Sequence, residues 1–128
     1  MLFAPSFDFV ENRRKQLGDE GLEKWKKTGY LPWKHYDFKG EFRLHNGIVE
    51  DFQKYEKYPC GLGMPIYAIH GRQDTTVNPQ QTVTYAKDNP NVILQMIDGD
   101  HSLSTAFEFL WQETYRFFEL AKYEQVGL

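Results

Sequence analysis

Two short apolar runs, separated by a segment of helix length, constrain the fold more than any other feature of this sequence. They are Ile66–Ile69 and Val92–Ile97. Short continuous apolar runs bounded by turn residues are typical of parallel strands buried on both faces. Between them, Asn78-Pro79 is a helix-start signal, with asparagine as the cap and proline at the first helical position. A second helix follows from Thr105, so the alternation predicts an α/β architecture with a parallel sheet.

The second helix has an apolar face. Its residues recur at the 3.6-residue spacing of an α-helix. They are Phe107, Leu110, Trp111, Thr114, Phe118 and Ala121.

The first half of the chain is rich in aromatic residues and has weaker patterns. Tyr30–His45 predicts either a hairpin around Lys39-Gly40 or an irregular aromatic flap. The other predicted elements are a short buried strand at Met1–Ala4, helices over 8–17 and 20–28 separated by Gly18, and a helix through Tyr55 capped by Asn46.

Charge and composition exclude several functions. With 15 basic and 18 acidic residues the formal net charge is -3, so we expect neither a nucleic-acid nor a membrane partner. Cys60 is the single cysteine, which rules out an intramolecular disulfide and favours a cytoplasmic location. A length of 128 residues predicts one domain.

Polar residues follow both predicted strands of the second half. Asp74 lies in the loop after the first strand, and His101 lies in the loop after the second. Neighbouring parallel strands end at the same edge of a sheet, so these two side chains are expected to meet there. A carboxylate at that point fixes the imidazole tautomer and stabilises the imidazolium of a general base. Alternatively, Asp74 is only a turn residue that caps local backbone amides.

At these loops the sequence resembles the α/β-hydrolase family. The pattern His70-Gly-x-x-Asp74-x-x-Val77 looks like the acid loop of that family, and Gly99-Asp-His101-Ser looks like its histidine loop. The resemblance implies a partial α/β-hydrolase fold, with about three parallel strands flanked by helices. It also implies that Asp74 is the acid and His101 the base of a catalytic triad.

The same resemblance implies an organisation and a substrate class. Residues 64–128 would carry the acid loop, the histidine loop and the C-terminal helix, and residues 6–58 would be an aromatic, cap-like insertion within the single domain. The substrate would be a small carboxylic ester or thioester. The aromatic residues of the insertion either line an acyl pocket or only pack the flap onto the body. They are Trp33, Tyr36, Phe38 and Phe42.

The triad lacks its nucleophile. The three serines, Ser6, Ser102 and Ser104, do not lie in a Gly-x-Ser-x-Gly elbow. We therefore expect the chain to be the C-terminal half of a serine hydrolase and to be inactive, or nearly so, by itself. Cys60 precedes a strand and is interpreted as an inert loop cysteine, while His70 is interpreted as structural. No cofactor is implied, and no metal-binding motif occurs.

A second hypothesis assigns the chain a different class of function, as a non-catalytic interaction module derived from a hydrolase. In either case the strand over Leu2–Pro5 is expected to present an unpaired edge, which is a template for pairing with another chain. The expected partner is a second copy, giving a dimer about a two-fold axis, or a separate N-terminal half.

Overall fold

The computed structural model of the chain describes residues 1–34 and 40–124, in two compact units. Unit 1 comprises Met1–Phe7 and Tyr58–Leu128, and unit 2 comprises Asp8–Lys57. The elements are β1 (Leu2–Phe3), α1 (Phe9–Thr28), β2 (Tyr30–Lys34), β3 (Glu41–His45), α2 (Gly47–Phe52), β4 (Ile66–Gly71), α3 (Pro79–Asp88), β5 (Val92–Ile97) and α4 (Phe107–Glu124), with a 3₁₀ turn at Ser104–Ala106.

Unit 1 is built on a parallel sheet of three strands in the order β1-β4-β5. Strand β1 pairs through Leu2 with Ala68, and β5 pairs along the whole of β4, from Ile66–Val92 to Gly71–Ile97. Ala68 and Ile69 of the central strand are completely buried. The predicted α/β architecture, with parallel strands and flanking helices, is therefore present.

Helix α3 begins as the sequence predicts. Asn78 has an extended conformation, and its side chain accepts a hydrogen bond from the backbone N–H of Gln80 at 3.2 Å. Pro79 occupies the first turn, where its missing N–H costs no hydrogen bond. The helix ends at Asp88, shortly before Pro90. The helix thus returns the chain to the start of β5. As a result, the acid loop and the histidine loop both lie at the carboxyl ends of their strands.

Strand β5 differs from its prediction. We expected it to be buried on both faces, but Ile93 and Gln95 are exposed and alternate with partly buried neighbours. The expectation was wrong because helix α4 covers the central strand β4, and β5 lies beside it at the margin of the described sheet. On the face that carries Ile93, helix α4 contacts Tyr67 of the central strand through Glu113 and Phe117, and Ile93 remains largely accessible.

The face of α4 that carries Phe107, Trp111 and Phe118 is also exposed. The helix contacts the sheet through a different side. There the Tyr67 hydroxyl donates to Glu113 at 2.9 Å, and the Tyr67 ring lies 6.0 Å from that of Phe117. Burial, together with the neighbouring Glu113 carboxylate, raises the pKa of Tyr67 to about 12, so this hydroxyl stays protonated at neutral pH. The side chain of Ala121 lies outside the described part.

Unit 2 contains helix α1 and an antiparallel hairpin. The helix is kinked at Gly18, where φ is 67°, and ends at Gly29, where φ is 77°. Both conformations are left-handed and favour glycine. Of the two predictions for Tyr30–His45, the hairpin is observed, although residues 35–39 lie outside the described ones. Trp25 is buried and donates to the Leu44 carbonyl at 3.0 Å, which ties the helix to β3.

The prediction for α2 was wrong in two respects. Asn46 has helical φ and ψ angles (-62° and -26°), and its side chain makes no capping hydrogen bond. A residue in that conformation already belongs to the helical turn, whereas an N-cap normally has extended angles. The helix also ends at Phe52 rather than Tyr55. The cap-like role of this part of the chain stays a prediction.

In residues 1–34 and 40–124, no helix is both long enough and apolar enough to cross a membrane.

Candidate functional site

The Asp74 carboxylate lies just beyond the end of β4 and is buried. Its Oδ1 atom accepts hydrogen bonds from the backbone N–H groups of Thr76 and Val77, both at 2.8 Å. The short loop therefore closes around the carboxylate as an Asx-type turn. This is the local capping role that the sequence allowed for Asp74.

The other oxygen of Asp74, Oδ2, joins the two loops. It accepts from His101 Nδ1 at 2.8 Å and from His70 Nε2 at 3.0 Å. Burial opposes ionisation, but the bonds from Val77, His101 and Thr76 outweigh it, so the pKa of Asp74 is lowered. Asp74 is consequently an anion at neutral pH, held by four hydrogen bonds.

His70 supports this carboxylate from within the sheet. It is completely buried on β4, and its Nδ1 atom lies 2.6 Å from the hydroxyl of Thr82 on α3. Burial lowers the pKa of His70 in spite of the nearby Asp74 anion, so the ring is neutral. An ionised carboxylate cannot donate, so Nε2–H donates to Asp74 and Nδ1 accepts from Thr82. His70 therefore positions the Asp74 carboxylate.

His101 is held on one side and accessible on the other. Its Nδ1–H donates to Asp74, while its side chain is 40% exposed. No hydrogen bond to its Nε2 atom occurs in the described part of the chain. His101 also lies on an apolar groove of about 410 Å³. The other lining residues are Phe3, Ala4, Ser102, Leu103, Phe107, Leu110, Trp111 and Thr114.

Close backbone contacts hold the two loops together. Gln73 N–H donates to the Gly99 carbonyl at 3.0 Å, and Arg72 N–H donates to the Ile97 carbonyl at 2.8 Å. A side chain at Gly71 would collide with the backbone here, since its Cβ would lie 2.6 Å from the carbonyl oxygen of Asp100. Glycine is thus required where β4 meets the histidine loop.

The serines near His101 have other partners. The Ser102 hydroxyl donates to Asp100 at 2.6 Å and lies 3.1 Å from the Ser104 hydroxyl. Hydrogen bonds from Ser102 are the main cause of the lowered pKa of Asp100. No serine hydrogen-bonds to His101 in the described residues, and Cys60 is an exposed cysteine.

The proposed substrate-binding residues lie in unit 2. Trp33 and Phe42 are cross-strand partners in the hairpin, and the guanidinium of Arg13 lies 4.8 Å from the Trp33 ring. Tyr36 and Phe38 lie outside the described residues. A substrate-binding role for these four residues stays a prediction.

The geometric expectation for the acid and the histidine agrees with the structure, because both lie at the carboxyl ends of neighbouring strands. Sequence reasoning did not identify Thr82. Its only local signal is a polar residue one turn into α3, and its contact with His70 becomes visible only once α3 is packed on β4. The site pairs a fixed anion with an imidazole whose second nitrogen has no partner in the described part. That arrangement suits proton transfer.

The fold is hydrolase-like. The chain superposes on the crystal structure of a protein named "Putative hydrolase from Agrobacterium vitis S4", with a TM-score of 0.64 and 23% sequence identity. The superposition covers 80% of this chain and 42% of the other, so this chain spans about two fifths of its neighbour. Identity at this level concerns the fold alone. No protein-family model matches the sequence, and no curated protein matches it.

Proposed function

We propose that the chain is the C-terminal half of an α/β-hydrolase-fold serine hydrolase that acts on carboxylic esters or thioesters. It contributes Asp74 as the acid and His101 as the base of the triad. The observation that carries the proposal is the 2.8 Å hydrogen bond from His101 Nδ1 to Asp74 Oδ2, made by a histidine whose other nitrogen lacks a partner in the described part. The hydrolase-like fold of a longer solved protein supports it.

The proposed mechanism assigns each of these residues one task. Nε2 of His101 removes the proton of a serine hydroxyl as that oxygen attacks the acyl carbon, and later gives the proton to the leaving group. Asp74 keeps the proton of His101 on Nδ1 and stabilises the imidazolium. Water then attacks the acyl-enzyme, with His101 again as the base.

In this proposal the nucleophilic serine and the oxyanion-hole amides are supplied by another segment, since the sequence has only Ser6, Ser102 and Ser104 and no Gly-x-Ser-x-Gly elbow. Ser102 and Ser104 are unsuited to the task, because their hydroxyl groups bond to Asp100 and to each other. The isolated chain should therefore resist labelling by a fluorophosphonate probe, which reacts with activated serines. Stoichiometric labelling would contradict the assignment of the nucleophile to another segment.

The direct test joins this chain to such a segment. In a chimera, it replaces the part of the Agrobacterium vitis chain on which it superposes, and hydrolysis of aryl esters and thioesters is measured. Asp74→Asn should lower kcat by about 10⁴-fold, as loss of the acid does in a triad. Asp98→Asn is the matched control, because Asp98 is exposed in the same histidine loop. A folded, active chimera that tolerates Asp74→Asn would contradict the proposal.

The alternative, a non-catalytic interaction module, is favoured by the exposed aromatic residues of α4. Phe107, Trp111 and Phe118 all have more than half of their surface accessible. Such patches mark interaction sites. A well-folded chimera without esterase or thioesterase activity would favour this alternative.

A further inference from the structure

We propose that this chain binds a second copy of itself through helix α4, with the two helices antiparallel about a two-fold axis. The contact is the α4 seam, which we define as Phe107, Trp111, Thr114 and Phe118. The inference is independent of the proposed catalytic function, since it rests on the shape and exposure of one helix face.

The spacing of the seam is that of helix–helix contacts. Its members are separated by four, three and four positions, which is the 3.5-residue period of a coiled-coil seam. Phe107 is 73% exposed, Trp111 67% and Phe118 52%. The helix meets the sheet on another side, through Glu113 and Phe117. The seam is therefore available for a partner.

The occupant we infer is a second copy, because the seam is self-complementary. A two-fold axis between positions 111 and 114 sets Phe107 opposite Phe118 of the other copy. It also sets Trp111 opposite Thr114, so the largest side chain faces the smallest. Two neighbouring grooves, of about 410 and 290 Å³, are both lined by Trp111 and Thr114. These grooves give the indole ring of the second copy a place to insert.

The exposed area is appropriate for a dimer. An aromatic side chain buries about 150–250 Å² when fully covered. The three aromatic residues of the seam, together with Tyr115 and Phe3 beside it, thus present on the order of 600 Å² of accessible surface. A stable interface needs about 800 Å² from each partner, and these five side chains account for most of that area.

Association would affect the candidate site. Phe107 and Trp111 also line the groove on which His101 lies. A second copy bound at the seam would therefore occupy part of that groove. It would compete there with a substrate or with a segment that carries a nucleophile.

The first test is the molar mass of the whole chain, measured by sedimentation equilibrium. The wild-type chain should approach twice 15.2 kDa in the micromolar range. Trp111→Thr should raise the dimer dissociation constant at least about 10-fold, as expected for a central aromatic anchor. Tyr55→Thr is the matched control, since Tyr55 is 65% exposed and lies in unit 2. It should leave the constant unchanged.

The second test fixes the orientation. Phe107→Lys with Phe118→Glu sets opposite charges facing each other in antiparallel helices, whereas Phe107→Lys with Phe118→Lys sets like charges facing each other. The first double variant should associate at least about 10-fold more tightly than the second. If the helices were parallel, each position would face the same position of the other copy. Both double variants would then bring like charges together and associate equally weakly. Circular dichroism confirms that each variant is folded.

Three outcomes overturn the proposal. One is a wild-type chain that stays at 15.2 kDa up to about 100 micromolar, well above the dissociation constant of a stable interface. Another is a dimer that Trp111→Thr does not weaken. The third is equal association of the two charged double variants.

Discussion

The two loops at the carboxyl end of the sheet are held in different ways. Asp74, in the acid loop, is buried and accepts four hydrogen bonds, two of them from its own loop. His101, in the histidine loop, is bonded through one nitrogen and is 40% exposed. The carboxylate is thus fixed by its surroundings, whereas the second nitrogen of the imidazole has no partner in the described part of the chain and would serve as the base in the proposed function. A proton-transfer pair needs this division, because a base must reach its substrate and its orienting anion must not move.

The largest expected effect comes from removing the fixed anion. Asp74→Ala should lower the free energy of unfolding by about 3–5 kcal/mol, because the buried partners of the carboxylate lose their acceptor. Denaturant titration measures this loss. Asp98→Ala is the control, since its side chain is 87% exposed, and it should change stability by less than about 0.5 kcal/mol. Equal effects of the two variants would mean that Asp74 is not the anchor of the acid loop.

The next effect comes from separating the loops. Gly71→Ala should cost about 1–3 kcal/mol, because its Cβ would meet the backbone of the histidine loop. Gly63→Ala is the control, as a Cβ at Gly63 has no neighbour within 4 Å. The same urea titration compares them. If Gly71→Ala were as stable as Gly63→Ala, this result would contradict the close packing of the two loops.

A smaller effect is expected when the hydrogen bond between Thr82 and His70 is removed. Thr82→Val keeps the shape of the side chain but removes the hydroxyl that donates to His70 Nδ1. Leaving that buried acceptor unsatisfied should cost about 1–3 kcal/mol, at the lower end because the ring stays neutral. Thermal unfolding measures the change. Thr28→Val alters an exposed threonine and should have less effect.

These effects show what the sequence can and cannot predict. The strands and the order of acid and histidine follow from local signals, namely apolar runs and turn residues. Exposure of Ile93 depends on which strand α4 covers, and the Thr82–His70 bond depends on how α3 packs on β4. Both are long-range consequences of packing. Asn46 was misassigned because capping residues look alike in sequence, whether or not their backbone is extended.

The smallest effect is a dependence of stability on pH. The folded-state pKa of His70 is lowered, so below an ordinary value of about 6.5 the unfolded chain binds more protons, and stability falls. One such group contributes at most about 1.4 kcal/mol per pH unit. The lowered pKa of Asp74 adds stability that is present above about 3.9 and is lost as pH falls further.

Two variants, one at His70 and one at its partner Thr82, check this dependence of stability on pH. His70→Gln should reduce the loss of stability as pH is lowered from about 6.5, because glutamine does not titrate there. Thr82→Val should be less stable at every pH but keep a loss in this range, since it retains His70. Denaturant titrations at several pH values provide the measurement. An unchanged slope in His70→Gln would show that His70 is not its source.

In the proposed triad, Asp74 holds the proton of His101 on Nδ1, so that Nε2 can act as the base. Nitrogen-15 NMR of the imidazole rings tests it most directly, because the two nitrogens of a neutral ring differ in chemical shift according to which one carries the proton. We expect neutral His101 to be the Nδ1–H tautomer in the wild-type chain, and Asp74→Asn to remove this preference. An Nε2–H tautomer in the wild-type chain, or a His101 spectrum that Asp74→Asn leaves unchanged, would contradict it.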